Sequence, residues 1–292
     1  MAKGLTAAER TERGGQGNLT PSPGNEDPVP ATEGTAADGA LAVSRRLSKA
    51  EKRQAKFERK KQKAREAHQR NRKRRREAAN EAWSKLNDEE QEKRRESTRR
   101  LIQRSRARLE AAFESGVRVA VDLSYTNREQ ETRSLARQLV YAYSVLKRGE
   151  GNISLHLLSY AGTVAQALDK VGGQSWMVHR HTAPLEEVFG GRRLCYLTPD
   201  ASKELTELSE DCTYVVGGIV DRTPTKGLTI QRAEGLQVDT ARLPIQSSGL
   251  PVRPNLILNV DHVIAALAGF QEHGDWGQAL RAVIPRRFVR DI

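Results

Sequence analysis

The chain has 292 residues, a formal net charge of +12 and a hydrophobic content of 37%, which is low for a globular protein. The charge is local, since residues 45–76 hold 17 Lys and Arg against three Glu, a segment charge of +14 that leaves −2 elsewhere. No apolar stretch approaches the roughly 20 residues of a membrane span, and residues 1–15 lack the apolar core of a secretory signal. We therefore expect no membrane partner, and a nearly neutral body with a cationic extension suited to a polyanion.

The N-terminal third contains two regions of different composition. Residues 1–43 are rich in Gly, Pro, Thr, Ala and Glu without a hydrophobic period, which predicts a disordered tail. Residues 44–115 are dense in helix formers and predict a basic helical extension, with a capping box formed by Ser48 and Glu51. The apolar residues are too few for a coiled-coil seam, so a long or broken solvated helix is expected, with a highly charged linker as the alternative.

The one-sided charge of this extension favours contact with RNA phosphates. The run KRRR at 73–76 also suits a nuclear import signal, so we expect the protein in the nucleus, the cytoplasm or both. The candidate RNA-binding residues are Arg45, Arg46, Lys60, Lys61, Arg72, Lys73, Arg74, Arg75 and Arg76.

Residues 116–292 alternate between strand and helix patterns, which predicts one α/β domain with a mostly parallel sheet. The predicted strands are 117–124, 152–159, 193–200, 213–221 and 240–245, and the predicted helices are 129–147, 161–171, 202–208, 255–274 and 275–284. Thr198 or Asp200 is the expected cap of the helix at 202–208, and Asp275 that of the last helix.

Metal chemistry has little support in the sequence. Cys195 and Cys212 are the only cysteines and lack C-x-x-C spacing, which indicates buried free thiols in a reducing compartment. His179 and His181 would share one face of a strand, but no neighbouring residue completes a ligand set. We expect no metal site.

Three loops follow the ends of predicted strands, at 197–199, 217–227 and 241–245. Ligands of open parallel sheets bind outside the carboxyl ends of the strands. Gly217 and Gly218 lack Cβ atoms and would let a ligand approach the backbone, with Asp221 at the mouth of the site. The alternatives are a glycine pair that serves a bulge and an aspartate that serves a turn.

Several short strings carry a family resemblance. They are VAVDLS (119–124), SLARQLVYAYS (134–144), YLTPD (196–200), VVGGIVD (215–221), KGLT (226–229), ARLPIQ (241–246) and VDHV (260–263). In this order they resemble the tRNA position-9 purine N1-methyltransferases, a branch of the knotted SPOUT methyltransferases. The resemblance covers about residues 117–285, and a basic helical extension ahead of the domain is also a feature of that family.

The resemblance implies a SPOUT-like sheet with a C-terminal trefoil knot that binds S-adenosyl-L-methionine, with tRNA as substrate, no metal, and a monomer. It makes residues 116–292 the methyltransferase domain. By similarity the cofactor would contact Leu197, Thr198, Gly217, Gly218, Asp221, Lys226, Gly227, Ala241, Leu243 and Val263.

The implied reaction is methylation of N1 of the purine, guanine above all, at position 9 of tRNA. Because N1 of guanine carries a proton, Asp221 is the candidate general base; alternatively it only orients the base or the cofactor. Asp261 adds a second carboxylate, which either assists proton removal or replaces an amide hydrogen bond. Two other hypotheses are a catalytically weak or inactive knotted RNA-binding scaffold, and a nuclear basic protein that binds DNA.

Overall fold

The computed structural model describes residues 48–125, 128–220, 227–253 and 256–289. The chain divides into two compact units, and the division falls between Arg76 and Glu77. The predicted disordered tail at 1–43 lies outside the described residues, and so do Arg45, Arg46, Asp221 and Lys226. None of the helices in the described ranges is both long enough and apolar enough to cross a membrane.

Helix α1 (Lys49–Ser84) begins with the predicted capping box. The Ser48 backbone N–H donates to Glu51 Oε2 at 2.7 Å, and the Glu51 N–H donates to Ser48 Oγ at 3.2 Å. These two hydrogen bonds lower the pKa of the Glu51 carboxyl. No residue of α1 is buried, so its cationic side chains lie in water.

Helix α2 (Asp88–Ser115) follows a short break and starts with a second capping box, between Asn87 and Glu90. Only its last part is buried, at Leu109 and Ala112. There Arg108 Nη2 donates to the carbonyls of Leu146 and Lys147, at 2.8 and 2.9 Å, at the end of helix α3 (Glu129–Arg148). The C-terminal end of α2 is therefore part of the folded body.

The body is built on one six-stranded sheet in which every strand pair is parallel. Its strands are β1 (Val117–Asp122), β2 (Ile153–Leu158), β3 (His179–Arg180), β4 (Arg193–Leu197), β5 (Cys212–Gly217) and β6 (Asp239–Ala241), and their order is β3-β2-β1-β5-β4-β6. This confirms the predicted α/β class with a parallel sheet. The chain direction across the sheet reverses at β1, which lies between β2 and β5.

Helices cover both faces of the sheet, so the central strands are buried on both sides. Besides α3 they are α4 (Gly162–Asp169), α5 (Leu185–Val188), α6 (Leu228–Gly235), α7 (Val260–His273) and α8 (Trp276–Val283). On one face, Val119 and Val121 pack in a core with residues of α3 and α7. On the other, Ala120 and Tyr196 pack with residues of α5 and α6.

Two predicted helices differ from the structure. Residues 202–208 are not helical, because the Leu205 N–H donates to the Arg242 carbonyl and the Arg242 N–H to the Lys203 carbonyl, both at 2.9 Å. This pairing with the chain after β6 outweighs the helix propensity of the segment, and Thr198 accepts a turn hydrogen bond from the Asp200 N–H instead of capping a helix. The helix predicted from residue 255 starts only at Val260. Helix α8 carries the predicted cap, since Asp275 Oδ1 accepts from the Gln278 N–H at 2.6 Å.

Candidate active site

A cavity of about 300 Å³ opens at the carboxyl end of strands β4 and β5. Its wall comes from the ends of these strands, the segment after β6, the residues before α7 and the first turn of α7. The lining residues are Leu197, Thr198, Pro199, Val216, Arg242, Leu243, Ile245, Gln246, Leu256, Ile257, Leu258 and Val263. This is the edge at which parallel sheets bind their ligands.

Four of the predicted cofactor residues line this cavity: Leu197, Thr198, Leu243 and Val263. Ala241 lies behind the wall, where it is 2% exposed and its carbonyl accepts from the Thr198 N–H at 3.0 Å. Gly227 precedes α6 with a φ of 84°, a left-handed conformation that favours glycine. Asp221 and Lys226 lie outside the described residues.

Sequence reasoning missed the stretch Leu256–Leu258, which it assigned to a helix. In the structure these residues precede α7 and form one side of the cavity. The signal was present, because three apolar residues stand between two asparagines in NLILN, at 255–259. Helical periodicity cannot separate an apolar helix start from an apolar loop that covers a pocket.

The cavity wall offers apolar and backbone groups in place of free charges. Among the described lining residues, Arg242 is the one with a charged side chain. Its guanidinium is already engaged, since Nη2 lies 3.3 Å from Glu204 Oε1 and Nη1 donates to the Ala201 carbonyl at 3.1 Å. Such a site suits a ligand that is held by shape, apolar contact and backbone hydrogen bonds.

The glycine pair at the end of β5 has a packing reason. A Cβ on Gly217 would lie 2.9 Å from Thr229 Cγ2, and a Cβ on Gly218 would lie 2.7 Å from the Asp122 carbonyl oxygen. The Gly218 N–H donates to that same carbonyl at 2.8 Å. The glycines therefore let the chain after β5 pass close to the end of β1.

A buried polar cluster lies beside this glycine pair and was also missed. Asp122 is fully buried, and its carboxylate accepts from the Ser124 N–H at 3.0 Å and from the Tyr196 hydroxyl at 3.2 Å. Arg232 Nε lies 3.5 Å from the same carboxylate. Burial and the neighbouring Asp122 raise the pKa of the Tyr196 hydroxyl, so it stays protonated and donates. The sequence signal was an aspartate at the end of the apolar run VAVD.

The first turn of α7 places Asp261 next to the cavity-lining part of the chain. Its Oδ2 lies 3.9 Å from His262 Nε2. Its Oδ1 is buried and has no hydrogen-bond partner within the described ranges. A buried carboxylate oxygen in this state is costly to a folded protein.

His179 and His181 do share one side of the sheet edge, where they stack with His156 of β2. The ring of His156 lies 4.2 Å from that of His179 and 5.4 Å from that of His181, centroid to centroid. His156 Nδ1 and His181 Nε2 are 3.1 Å apart and share a hydrogen bond. In the part of the chain that the structure describes, no group of three His, Cys, Asp or Glu side chains is arranged to hold a metal ion.

The candidate RNA-binding residues that the structure describes are all on α1 and all exposed. They are Lys60, Lys61, Arg72, Lys73, Arg74, Arg75 and Arg76. They form a continuous cationic helix surface, and a role in RNA binding stays a prediction.

Comparison with known proteins agrees with the resemblance in the sequence. A family model described as tRNA (guanine(9)-N(1))-methyltransferase TRM10/TRM10A matches residues 42–289. The tRNA methyltransferase 10 homolog A of Mus musculus is 28% identical over 190 residues, which cover 63% of this chain and 57% of the mouse protein. The tRNA (guanine(9)-N1)-methyltransferase of Schizosaccharomyces pombe is 30% identical over 193 residues, which cover 63% of each chain. This chain thus spans less than two thirds of the length of these curated relatives.

Solved structures give the same result. The crystal structure of spTrm10(74) superposes with a TM-score of 0.54 at 27% identity and covers 59% of this chain and 95% of that one. The complex of full-length spTrm10 with SAH gives a TM-score of 0.53 at 28% identity and covers 59% and 96%. Since the family model extends over most of its length, this chain belongs to the TRM10/TRM10A family of tRNA (guanine(9)-N(1))-methyltransferases.

Proposed function

We propose that this protein methylates N1 of the purine at position 9 of tRNA, with guanine as the preferred base and S-adenosyl-L-methionine as methyl donor. The observation that carries the proposal is the family match over residues 42–289, together with a cavity at the expected edge of the sheet. The SAH bound in the spTrm10 complex is the product that remains when this donor has lost its methyl group.

The cavity residues fit the donor by their chemistry. Leu197, Leu243 and Val263 supply apolar contacts, and the segments around Thr198 and Ile245 supply backbone groups. When bound, the donor supplies an electrophilic sulfonium methyl group, so the chain needs no further activating group for the methyl. We further propose that the chain from β4 to α7 forms the trefoil knot of the SPOUT methyltransferases, a proposal supported by family membership and by the three segments that meet at this cavity.

The protein's own task is then to accept a proton and to exclude water. N1 of guanine bears a hydrogen that leaves as the new N–C bond forms and the S–C bond breaks. We assign acceptance of this proton to Asp221, which follows the Gly217–Gly218 pair by three residues and matches the family's aspartate in VVGGIVD. The purine must be unstacked to expose its pairing edge.

The test uses purified protein, methyl-labelled S-adenosyl-L-methionine and unmodified tRNA with guanine, adenine or cytosine at position 9. Nucleoside mass spectrometry should find N1-methylguanosine with the first substrate and no methylation with the third. Asp221→Asn should slow guanine methylation strongly, whereas a near-normal rate would remove the base role but leave the enzyme. Absence of transfer by folded protein would leave a catalytically inactive RNA-binding scaffold.

Contact between α1 and the tRNA backbone is the second part of the proposal, supported by the exposed positive charge of this helix. Replacing Lys73, Arg74, Arg75 and Arg76 with Gln should weaken tRNA binding and flatten its salt dependence by up to roughly three units of slope. The matched control replaces four α2 arginines that already pair with glutamates, namely Arg95, Arg99, Arg100 and Arg106. Equal losses in both variants would contradict a special role of α1, and equal binding of duplex DNA would favour a DNA partner.

Two further expectations stay proposals. The protein acts as a monomer, so light scattering should return the chain mass of 32.5 kDa. It resides in the nucleus, the cytoplasm or both, which a fluorescent fusion with and without KRRR at 73–76 would test.

A further inference from the structure

The Asp122 cluster consists of Asp122, Tyr125, Tyr196, Arg232 and Glu186. Its centre is the carboxylate of Asp122 at the end of β1, which is 0% exposed. A buried carboxylate that has lost its hydration needs donors from the protein. It receives them from the Ser124 N–H, the Tyr196 hydroxyl and the Arg232 guanidinium.

The hydrogen bonds of the cluster have a defined direction. The Tyr196 hydroxyl donates its one hydrogen to Asp122 Oδ2, so its oxygen accepts from the Tyr125 hydroxyl at 2.7 Å. On the other side, Arg232 Nη2 lies 3.1 Å from Glu186 Oε2. The cluster thereby joins the ends of β1 and β4 to helices α5 and α6.

Asp122 also holds both ends of the connection between β5 and α6. Before the connection, its backbone carbonyl accepts from the Gly218 N–H at 2.8 Å. After it, its carboxylate pairs with Arg232 of α6. Helix α6 has a second anchor at the cavity wall, where the Thr229 hydroxyl donates to Thr198 Oγ1 at 2.7 Å. By sequence, this connection is the one that carries Asp221.

We propose that Tyr196 and Arg232 are positioning residues for the methyl transfer, which act through Asp122 by fixing the two ends of the β5–α6 connection. The inference rests on the proposed function for its effect on rate, and on the geometry of the cluster alone for its effect on the backbone. Neither residue is among the described residues that line the cavity, so neither contacts the donor there.

A buried polar cluster that only stabilises the fold predicts a different result. In that case the loss of one hydroxyl lowers stability but leaves the rate of folded enzyme unchanged. Tyr214 offers the matched control, because it is a buried tyrosine on the neighbouring strand β5 whose hydroxyl also has two partners. It accepts from the Ser209 N–H at 2.7 Å and donates to the Glu207 carbonyl at 3.4 Å.

The experiment compares Tyr196→Phe with Tyr214→Phe in the full chain. We expect Tyr196→Phe to lower kcat roughly five- to tenfold, the factor that a single net hydrogen bond gives, with the Kd for SAH within about twofold of the parent. Tyr214→Phe should leave both quantities within about twofold. Arg232→Met should lower kcat further, and Arg232→Lys should restore part of it because the charge beside Asp122 returns.

Amide hydrogen exchange gives a readout that does not need turnover. Peptides that contain Gly218 or Arg232 should exchange faster in Tyr196→Phe than in Tyr214→Phe. If the parent protein transfers no methyl group, the proposed function fails and this exchange measurement still decides the role of the cluster. Equal exchange in the two variants, or an unchanged kcat in Tyr196→Phe of an active enzyme, would overturn the inference.

Discussion

Acidification should destabilise the folded body through the histidine stack, and His156 is the residue most affected. It is 8% exposed, and its hydrogen bonds define its protonation. Ser154 Oγ donates to the Phe113 carbonyl at 3.1 Å, so it accepts from His156 Nε2–H at 3.3 Å. His156 Nδ1 is then the acceptor for His181 Nε2–H, and a second proton on His156 would set two N–H groups against each other.

The magnitude follows from the pKa. Burial first, and then the charged forms of His179 and His181 with Arg118 and Arg192, lower the pKa of His156 to about 3. In the unfolded chain histidine titrates near 6.5, so as pH falls the unfolded state binds this proton first. The contribution is complete above pH 6.5 and is lost toward pH 3, by about 2 kcal/mol between pH 7.5 and pH 5. His181, whose pKa is also lowered by burial and by His179, adds in the same direction.

The assay is urea unfolding at pH 7.5, 6 and 5, and the quantity compared is the change in unfolding free energy with pH. His156→Gln should flatten that change, whatever its own stability at pH 7.5. His68→Gln, at an exposed position of α1, is the control and should keep the parent's slope. If the parent and His156→Gln lose the same free energy between pH 7.5 and pH 5, the protonation argument is wrong.

Three further changes test packing, capping and the cavity. Gly218→Ala should cost about 1–3 kcal/mol of unfolding free energy, because its Cβ would lie 2.7 Å from a backbone oxygen, whereas Gly235→Ala meets nothing within 4 Å and should be nearly neutral in the same denaturation assay. Asp275→Ala should lower the thermal midpoint through a loss of about 1 kcal/mol at the cap of α8, and an unchanged midpoint would show that the cap is not used in solution. Val263→Trp should fill the cavity and weaken SAH binding more than tenfold by calorimetry, while Val171→Trp, at a position 42% exposed and outside the cavity lining, should not; equal affinities would place the donor elsewhere.

The sequence predicted the features that depend on local pattern. The parallel sheet followed from alternating strand and helix periods, and the caps at Ser48 and Asp275 followed from residue type and spacing. The helix predicted at 202–208 failed because partners near Arg242, distant in sequence, compete for its backbone. No local pattern announces such a pairing.

The candidate site was predictable in part for the same reason. The loops after β4 and β6 could be placed at the cavity because all parallel strands end at one edge. The Asp122 cluster could not, since its partners Tyr196 and Arg232 are 74 and 110 residues away along the chain. A buried aspartate looks the same in sequence as a turn aspartate until those partners are known.

The position of β5 has a consequence for how the chain is made. Val119 of β1 pairs with Tyr214 of β5, and Cys195 of β4 pairs with that same tyrosine. During translation β1 and β4 leave the ribosome before β5, so each has an open edge until β5 arrives between them and completes two ladders at once. Contacts between residues so distant in sequence form slowly, and nascent chains that stop short of residue 212 should depend on chaperones to stay unaggregated.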